Sequence, residues 1–291
     1  MLDTESKTMK FGQHNEEKFE HYWTLAEALE QAKLVPEITG SSHNERHRPS
    51  HSWDWSTGFE GAMDLAVNGW SEKAQELDRL ALEYTNELHV SRPSFEFRFD
   101  VVGEEVDLGK YSAGNPECML DAFLTKQDQL SNAVEVKVCT GMCSGVDAES
   151  FTRRGLFVFS VIRALELAGK SVGITTGSGT SNRGNHGEYW IRIKEPDQYI
   201  NPGVLAFWLC HPAAHRRLMF RLKEHTSPTE VYAFSYNGGT YGATADSHQK
   251  IDKETIYYSS VHTQGFGKWD TPETMKEQIK QELVKQGIQF N

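Results

Sequence analysis

The chain predicts an α/β fold, a mostly parallel central sheet flanked by helices and joined to a helical N-terminal portion. Three observations carry this. In Ala133–Cys139 apolar residues alternate with polar ones, a loop follows at 140–145, and 151–168 is apolar nearly all round, as a helix buried between layers is. Gly169 stops that helix and 171–176 reads as the next strand, so the unit is strand, crossover helix and parallel strand. The second half of the chain keeps alternating strand-like and helix-like segments, the pattern of a sheet covered by helices. At 291 residues the chain can bury a core without disulfides or metals. The expected division is an arm, a short helix and a polar linker over residues 1–52, then a single α/β domain over 53–291.

Taken in order, the first dozen residues lack periodicity and read as an arm. Thr24 and Glu27 form a capping-box pattern ahead of Leu25, Ala28, Leu29 and Ala32, and Pro36 limits that helix. The polar run 39–52 is linker-like. Thr57 and Glu60 repeat the capping pattern before Phe59, Met63 and Ala66, with Gly69 closing the helix. Ser71 opens another helix, whose inner stripe is Ala74, Leu77, Ala81, Tyr84 and Leu88. Phe95, Phe97 and Phe99 alternate with charges as a half-buried strand, and Asn115-Pro116 makes a turn before 119–124. Residues 177–187, rich in Gly, Ser and Asn, read as a flexible polar loop, and 189–194 as a strand with Trp190, Arg192 and Lys194 on its outer face. Val204–Leu209 reads as a buried strand, Pro212 as the first residue of a helix, Asn237-Gly238-Gly239 as a hairpin turn, and 255–261 as a strand. Thr271, Pro272 and Glu273 start the last helix, with Met275, Ile279 and Leu283 inward and Gly287 at its end.

A net charge of −11 argues against a general duplex-coating protein, because neutralising phosphates needs basic excess; the basic residues cluster at Arg46-His47-Arg48, Arg153-Arg154 and Arg216–Lys223. Four cysteines without CxxC spacing read as reduced thiols. No signal peptide or membrane span is visible.

Candidate chemistry is sparse. His211 and His215 stand at i and i+4 beside Cys210, a weak zinc candidate with no acid inside the pair; no cofactor is expected. The glycine-rich loop lacks the Gly-Lys-Ser/Thr ending of a phosphate loop, and no nucleophile has the local context of a known triad, which points away from an enzyme. Aromatics interleaved with cations instead suit single-stranded nucleic acid, whose bases stack while Arg neutralises phosphate. The candidates are Arg153, Arg154, Arg183, Arg216 and Arg217 for phosphate, and Trp190, Tyr236 and Tyr241 for stacking.

The order of strand, polar loop, buried helix and strand resembles a von Willebrand factor A-like fold over roughly 130–290. The Asp-x-Ser-x-Ser metal pattern of that family is missing from Cys139–Ser144, so a degenerate version without its cation is implied. The segment 51–70, with 114–119, Arg153-Arg154-Gly155 and 165–169, resembles an uncharacterised protein family encoded by tailed phages. In size and character the chain is similar to the single-stranded-DNA-binding RNA polymerase cofactors of lytic podoviruses, although no motif of theirs matches residue by residue. That resemblance implies a cytoplasmic protein of the infected bacterial cell. It would bind single-stranded DNA, act in transcription or replication and recruit a phage RNA polymerase. Two other readings stand beside it: a protein-interaction adaptor on the degenerate von Willebrand A-like fold, and a zinc- or thiol-dependent enzyme using His211, His215 and Cys210 or Cys143.

Overall fold

The structure is a computed structural model that describes residues 9–11, 16–34, 55, 57–87, 95–124, 133–142, 146–182, 185–224, 255–260 and 271–288. The crossover unit is formed as the sequence implies. Strand β6 (Ala133–Cys139) leads through Asp147, whose carboxylate accepts from the Ser150 backbone at 2.7 Å, into helix α5 (Ala148–Leu167), and then into β7 (Ser171–Asn182), parallel to β6. β8 (Asn185–Lys194) returns antiparallel to β7, and β9 (Thr255–Tyr258) adds parallel to the other edge of β6. Two N-terminal strands, β1 (Met9–Phe11) and β2 (Glu16–Thr24), complete the sheet in the order β1-β2-β8-β7-β6-β9. Three of these five pairings are parallel.

One face of the sheet presents Val134, Val136, Val138, Val172, Ile174, Ile191 and Ile193, all in one continuous core. Helix α5 lies in the middle of that core. It packs against β7 and against three other helices, α3 (Ser71–Glu87), α6 (Pro202–Cys210) and α8 (Pro272–Lys285), which is why it is apolar nearly all round. An ion pair from Arg163 to Asp78 at 2.8 Å ties α5 to α3 along its wetter side, and Glu166, one turn on in α5, holds the same guanidinium at 2.8 Å. α1 (Leu25–Lys33) and α2 (Gly58–Asn68) precede α3. A separate small sheet, in the order β3 (Phe95–Asp100), β5 (Met119–Leu124), β4 (Glu105–Val106), carries the short helix α4 (Leu108–Ser112). After α6 the chain makes a π-helical turn (Ala214–Met219) and α7 (Phe220–Glu224).

Several local expectations hold. Thr24 and Glu27 make the reciprocal capping box, Thr271 caps α8, Pro212 begins the helical stretch after α6, and Gly69, Gly169 and Gly287 sit at helix ends with positive φ. Others are corrected. Val204–Leu209 is helical, because Asn201 accepts from the Gly203 backbone and Pro202 starts the first turn; an all-apolar run has no period that separates a buried helix from a buried strand. The glycine-rich stretch from 177 is the hairpin of β7 and β8, paired on to Asn182 opposite Asn185. Residues 16–24, given no element from sequence, form a sheet strand, so the N-terminal portion is not purely helical. Thr57 makes no capping bond; its hydroxyl lies 3.5 Å from His211 Nε2. The proposed hairpin at 237–239 lies outside the described residues.

Two helices meet at Gly155. A Cβ there would fall 2.4 Å from the Leu209 carbonyl oxygen and 2.7 Å from Cys210, so α5 and α6 touch backbone to backbone. Gly155→Ala is expected to force them apart and lower stability by about 1–3 kcal/mol, read as an earlier urea unfolding midpoint.

Candidate functional site

The face of the sheet turned away from α5 is polar, and the strand register assembles it. Tyr22 on β2 stands beside Trp190 on β8, Trp190 beside Gly177 on β7, and Gly177 beside Cys139 on β6. In the adjoining row Thr24, Arg192, Thr175, Lys137 and Tyr257 follow one another from β2 to β9. Residues paired across strands share a face, so one period-two pattern places all of them together.

Glycines shape this face. A Cβ on Gly177 would lie 2.3 Å from the Trp190 ring, so the indole lies flat on bare backbone. Lys137 reaches across the same gap, with Nζ 3.8 Å from the centre of the Trp190 ring and 5.7 Å from that of Tyr22. The indole N–H donates to Glu188 at 2.7 Å. Burial lowers the Lys137 pKa, and Glu188 and Glu20 act in the opposite sense. One strand turn away, Gly173 leaves room for the Arg192–Glu135 pair, two parallel bonds of 2.5 and 2.9 Å; Arg192 also donates to Glu195 at 2.7 Å and Thr175 at 3.2 Å. Bonding to Glu135 raises the Arg192 pKa further. Trp190 is fully buried, whereas Tyr22 is 49 % exposed. Among the described residues, the most exposed aromatic of this face is Tyr22.

The chain matches, over residues 7–289, the family described as Domain of unknown function (DUF7192). It belongs to that family. Comparison with curated proteins and with solved structures finds no match. In this DUF7192 chain no helix among the described residues is long and apolar enough to cross a membrane.

Most residues singled out from sequence fall elsewhere. Arg154 is buried and donates to the carbonyls of Cys139 (3.1 Å), Tyr258 (3.4 Å) and Ser259 (2.6 Å), clamping the ends of β6 and β9. Arg217 is also fully buried, and Trp190 and Lys194 are inside rather than on an outer face, Lys194 donating to the Val172 carbonyl at 2.7 Å. The expected exposure is corrected in each case: Arg154 and Lys194 are buried because backbone carbonyls satisfy their donors, and Trp190 because its ring lies over Gly177 and its N–H donates to Glu188, none of which sequence period reveals. Arg153 is half-buried and donates to Ser150 at 2.9 Å, and Arg216 is half-buried on the π-helical turn. Arg183, Tyr236, Tyr241 and Cys143 lie outside the described residues.

His211, His215 and Cys210 are all buried without converging. His211 accepts the Ala213 N–H on Nδ1 at 3.1 Å and packs in a box of Trp55, Trp70 and Phe207, whereas the His215 ring packs on Phe220. Burial pushes the Cys210 thiol well up, and among the described residues no group of three His, Cys, Asp or Glu side chains could hold a metal. The residues that sequence reading passed over are Tyr22, Lys137, Glu20 and Glu188. Alternation of Phe19, His21 and Trp23 with Glu20, Tyr22 and Thr24 was the available signal.

A second polar group lies on the α5 side. Lys223 on α7 is buried, with Nζ 5.4 Å from the Tyr189 ring and 5.6 Å from that of Phe220. Burial lowers its pKa to about 7; the Cys139 thiol acts against this and Arg216 adds to it. The unfolded chain holds that proton up to about 10.5, so between pH 7 and 10.5 the unfolded state binds more protons than the folded one. Stability from this group is fully present above 10.5 and is lost as pH falls to about 7. Lys223→Met is expected to be more stable than the parent at pH 7 by up to a few kcal/mol, at about 1.4 kcal/mol per unit, with the gap closing towards pH 10 in urea unfolding series run without phosphate.

Proposed function

We propose that the chain binds single-stranded DNA across the polar face of the larger sheet, and that it serves transcription or replication in a tailed-phage setting by holding a melted strand for a phage RNA polymerase. The observation that carries the reading is Tyr22, an exposed ring on the sheet face turned away from α5, with the Lys137 amine 5.7 Å from its centre. A base stacked on Tyr22 would have a cation beside its phosphate, and a duplex, whose bases are already stacked, offers no such face. Arg153 on α5 and Arg216 on the π-helical turn are half-buried on the helix side of the sheet, away from Tyr22, and take no part in this proposal.

The electrostatics set the character of this binding. Arg192 is matched by Glu135 and Glu195, and Lys137 is influenced by Glu188 and Glu20. Stacking therefore contributes more than phosphate neutralisation, which also suits a chain of net charge −11.

One other reading has an observation of its own. Val101, Val102, Val106, Leu108 and Tyr111 are exposed together around the small sheet, which favours a protein-interaction adaptor; such a chain would capture a partner from infected cells and leave oligonucleotides unshifted.

Fluorescence anisotropy with labelled oligo-dT, the matching duplex and RNA tests the proposal. Oligo-dT is expected to bind more tightly than duplex, with a shallow salt dependence, and Tyr22→Ala to weaken it by about 1–3 kcal/mol, roughly 5- to 150-fold. A flat oligo-dT curve at low salt sinks it.

A further inference from the structure

The small sheet carries an apolar surface that nothing in the chain covers. Val101, Val102, Val106, Leu108 and Tyr111 are all exposed, Val102 at 77 % and Leu108 at 74 %. No side chain from 98 to 121 is buried. A sheet of three strands is held by covering one of its faces, so a stretch that covers none is short of a partner.

The exposed residues stand on ordered backbone. The Glu104 N–H donates to the Asp121 carboxylate at 2.8 Å, and Gly103 fits where a Cβ would lie 3.0 Å from that of Met119. The loop bearing Val101 and Val102 is therefore fixed over Met119, and Met119 stands opposite Val106 in the pairing of β4 with β5. The Asp107 N–H donates to the Cys118 carbonyl at 2.8 Å, and its carboxylate accepts from the Lys110 backbone at 3.0 Å, which starts α4 directly after Val106. Leu108 and Tyr111, three apart on α4, share one side of it. Apolar groups held out by a bonded scaffold lose little freedom on binding.

Charge selects the occupant. From 98 to 121 stand Asp100, Glu104, Glu105, Asp107, Glu117 and Asp121 against Arg98 and Lys110, a net of −4. The Lys110 amine is spent on the Phe99 ring, 2.9 Å from its centre. A second copy of the chain would bring the same acidic surface and be repelled. We propose that this surface docks a segment of a partner protein whose apolar side chains are flanked by lysine or arginine. The apolar residues meet its apolar side, Glu104 and Glu105 meet its cations, and Tyr111 supplies the aromatic anchor. Docking of this kind rests on the adaptor reading of the chain and not on strand binding at Tyr22.

Anisotropy with three labelled peptides of equal length tests it, one of leucine and lysine, one of leucine and glutamate, one of serine and lysine. The full chain is expected to bind the leucine-lysine peptide about 10-fold more tightly than either other, and Val102→Ser with Leu108→Ser to weaken it about 10-fold. The thermal midpoint is expected to stay unchanged in that variant, since both side chains are exposed. Glu104→Gln with Glu105→Gln is expected to weaken the leucine-lysine peptide and to leave the leucine-glutamate peptide no weaker. Equal binding of the two leucine peptides, both lost in the Val102→Ser, Leu108→Ser variant, overturns the cationic partner and leaves the adaptor reading standing. No binding of any peptide, or binding that this variant does not change, overturns both. A parent chain that sediments as a dimer, with the same variant a monomer, assigns the face to a second copy and overturns the proposal. Binding to phosphatidylcholine vesicles that the variant loses assigns it to lipid and does the same.

Discussion

Arg154 carries a charge into the space between α5 and the strand ends, where a cation without partners would cost several kcal/mol. Three carbonyls, from Cys139, Tyr258 and Ser259, meet that need, and in doing so the guanidinium joins β6 to β9 and both to the second turn of α5. Asp147, two turns earlier, caps α5 and has its pKa lowered by the bond from the Ser150 backbone. The start of α5 is thus pinned on both sides. From there the helix can run through the centre of the core with Gly155 against α6 and Arg163 against α3. Arg221 does similar work elsewhere, donating to the Ala32 and Leu34 carbonyls at the end of α1 and to Glu224.

The two faces of the sheet then follow from one alternation. The valine and isoleucine positions of β6, β7 and β8 go to α5, and the remaining positions hold charge and aromatic rings. What distinguishes the polar face is subtraction. Without side chains at Gly173 and Gly177, β7 is a trough, and long side chains from β6 and β8 lie across it rather than standing up. Trp190 is buried for this reason although its strand position is polar, and Tyr22, one strand further out with no trough beneath it, remains accessible.

How far the sequence shows all this varies with the physics of each segment. Period was decisive where one face is wet: Ala133–Cys139, the stripe of α3, and the capped starts of α1 and α8 are legible because half of each pattern is polar. It failed where both faces are covered. The run 204–209 is apolar at every position, and its helical state is set by Asn201 and Pro202 outside it. The glycine-rich half of β7 looks like a loop because its strand character comes from Trp190 and Tyr189 on the neighbouring strand, not from its own side chains. The candidate site suffered from the same limit. Arg154 and Trp190 are types that bind nucleic acid when exposed, and the partners that bury Arg154 lie 15 to 105 residues away in the chain. The residues that do share the accessible face, Tyr22 and Lys137, are brought together by a pairing of β2 with β8 that no local pattern announces.

On the polar face the strong cations already have carboxylates acting on them: Arg192 has Glu135 and Glu195, and Lys137 has Glu188 and Glu20. A phosphate arriving there gains little beyond the stacking it accompanies. On the helix side the buried cations are engaged by the fold itself: Arg154 by the Cys139, Tyr258 and Ser259 carbonyls, Lys194 by the Val172 carbonyl, and Arg221 by the Ala32 and Leu34 carbonyls and by Glu224. Donors already committed to strand and helix ends hold the layers together and have little left for a ligand, so charge on both sides of this sheet serves mainly the structure.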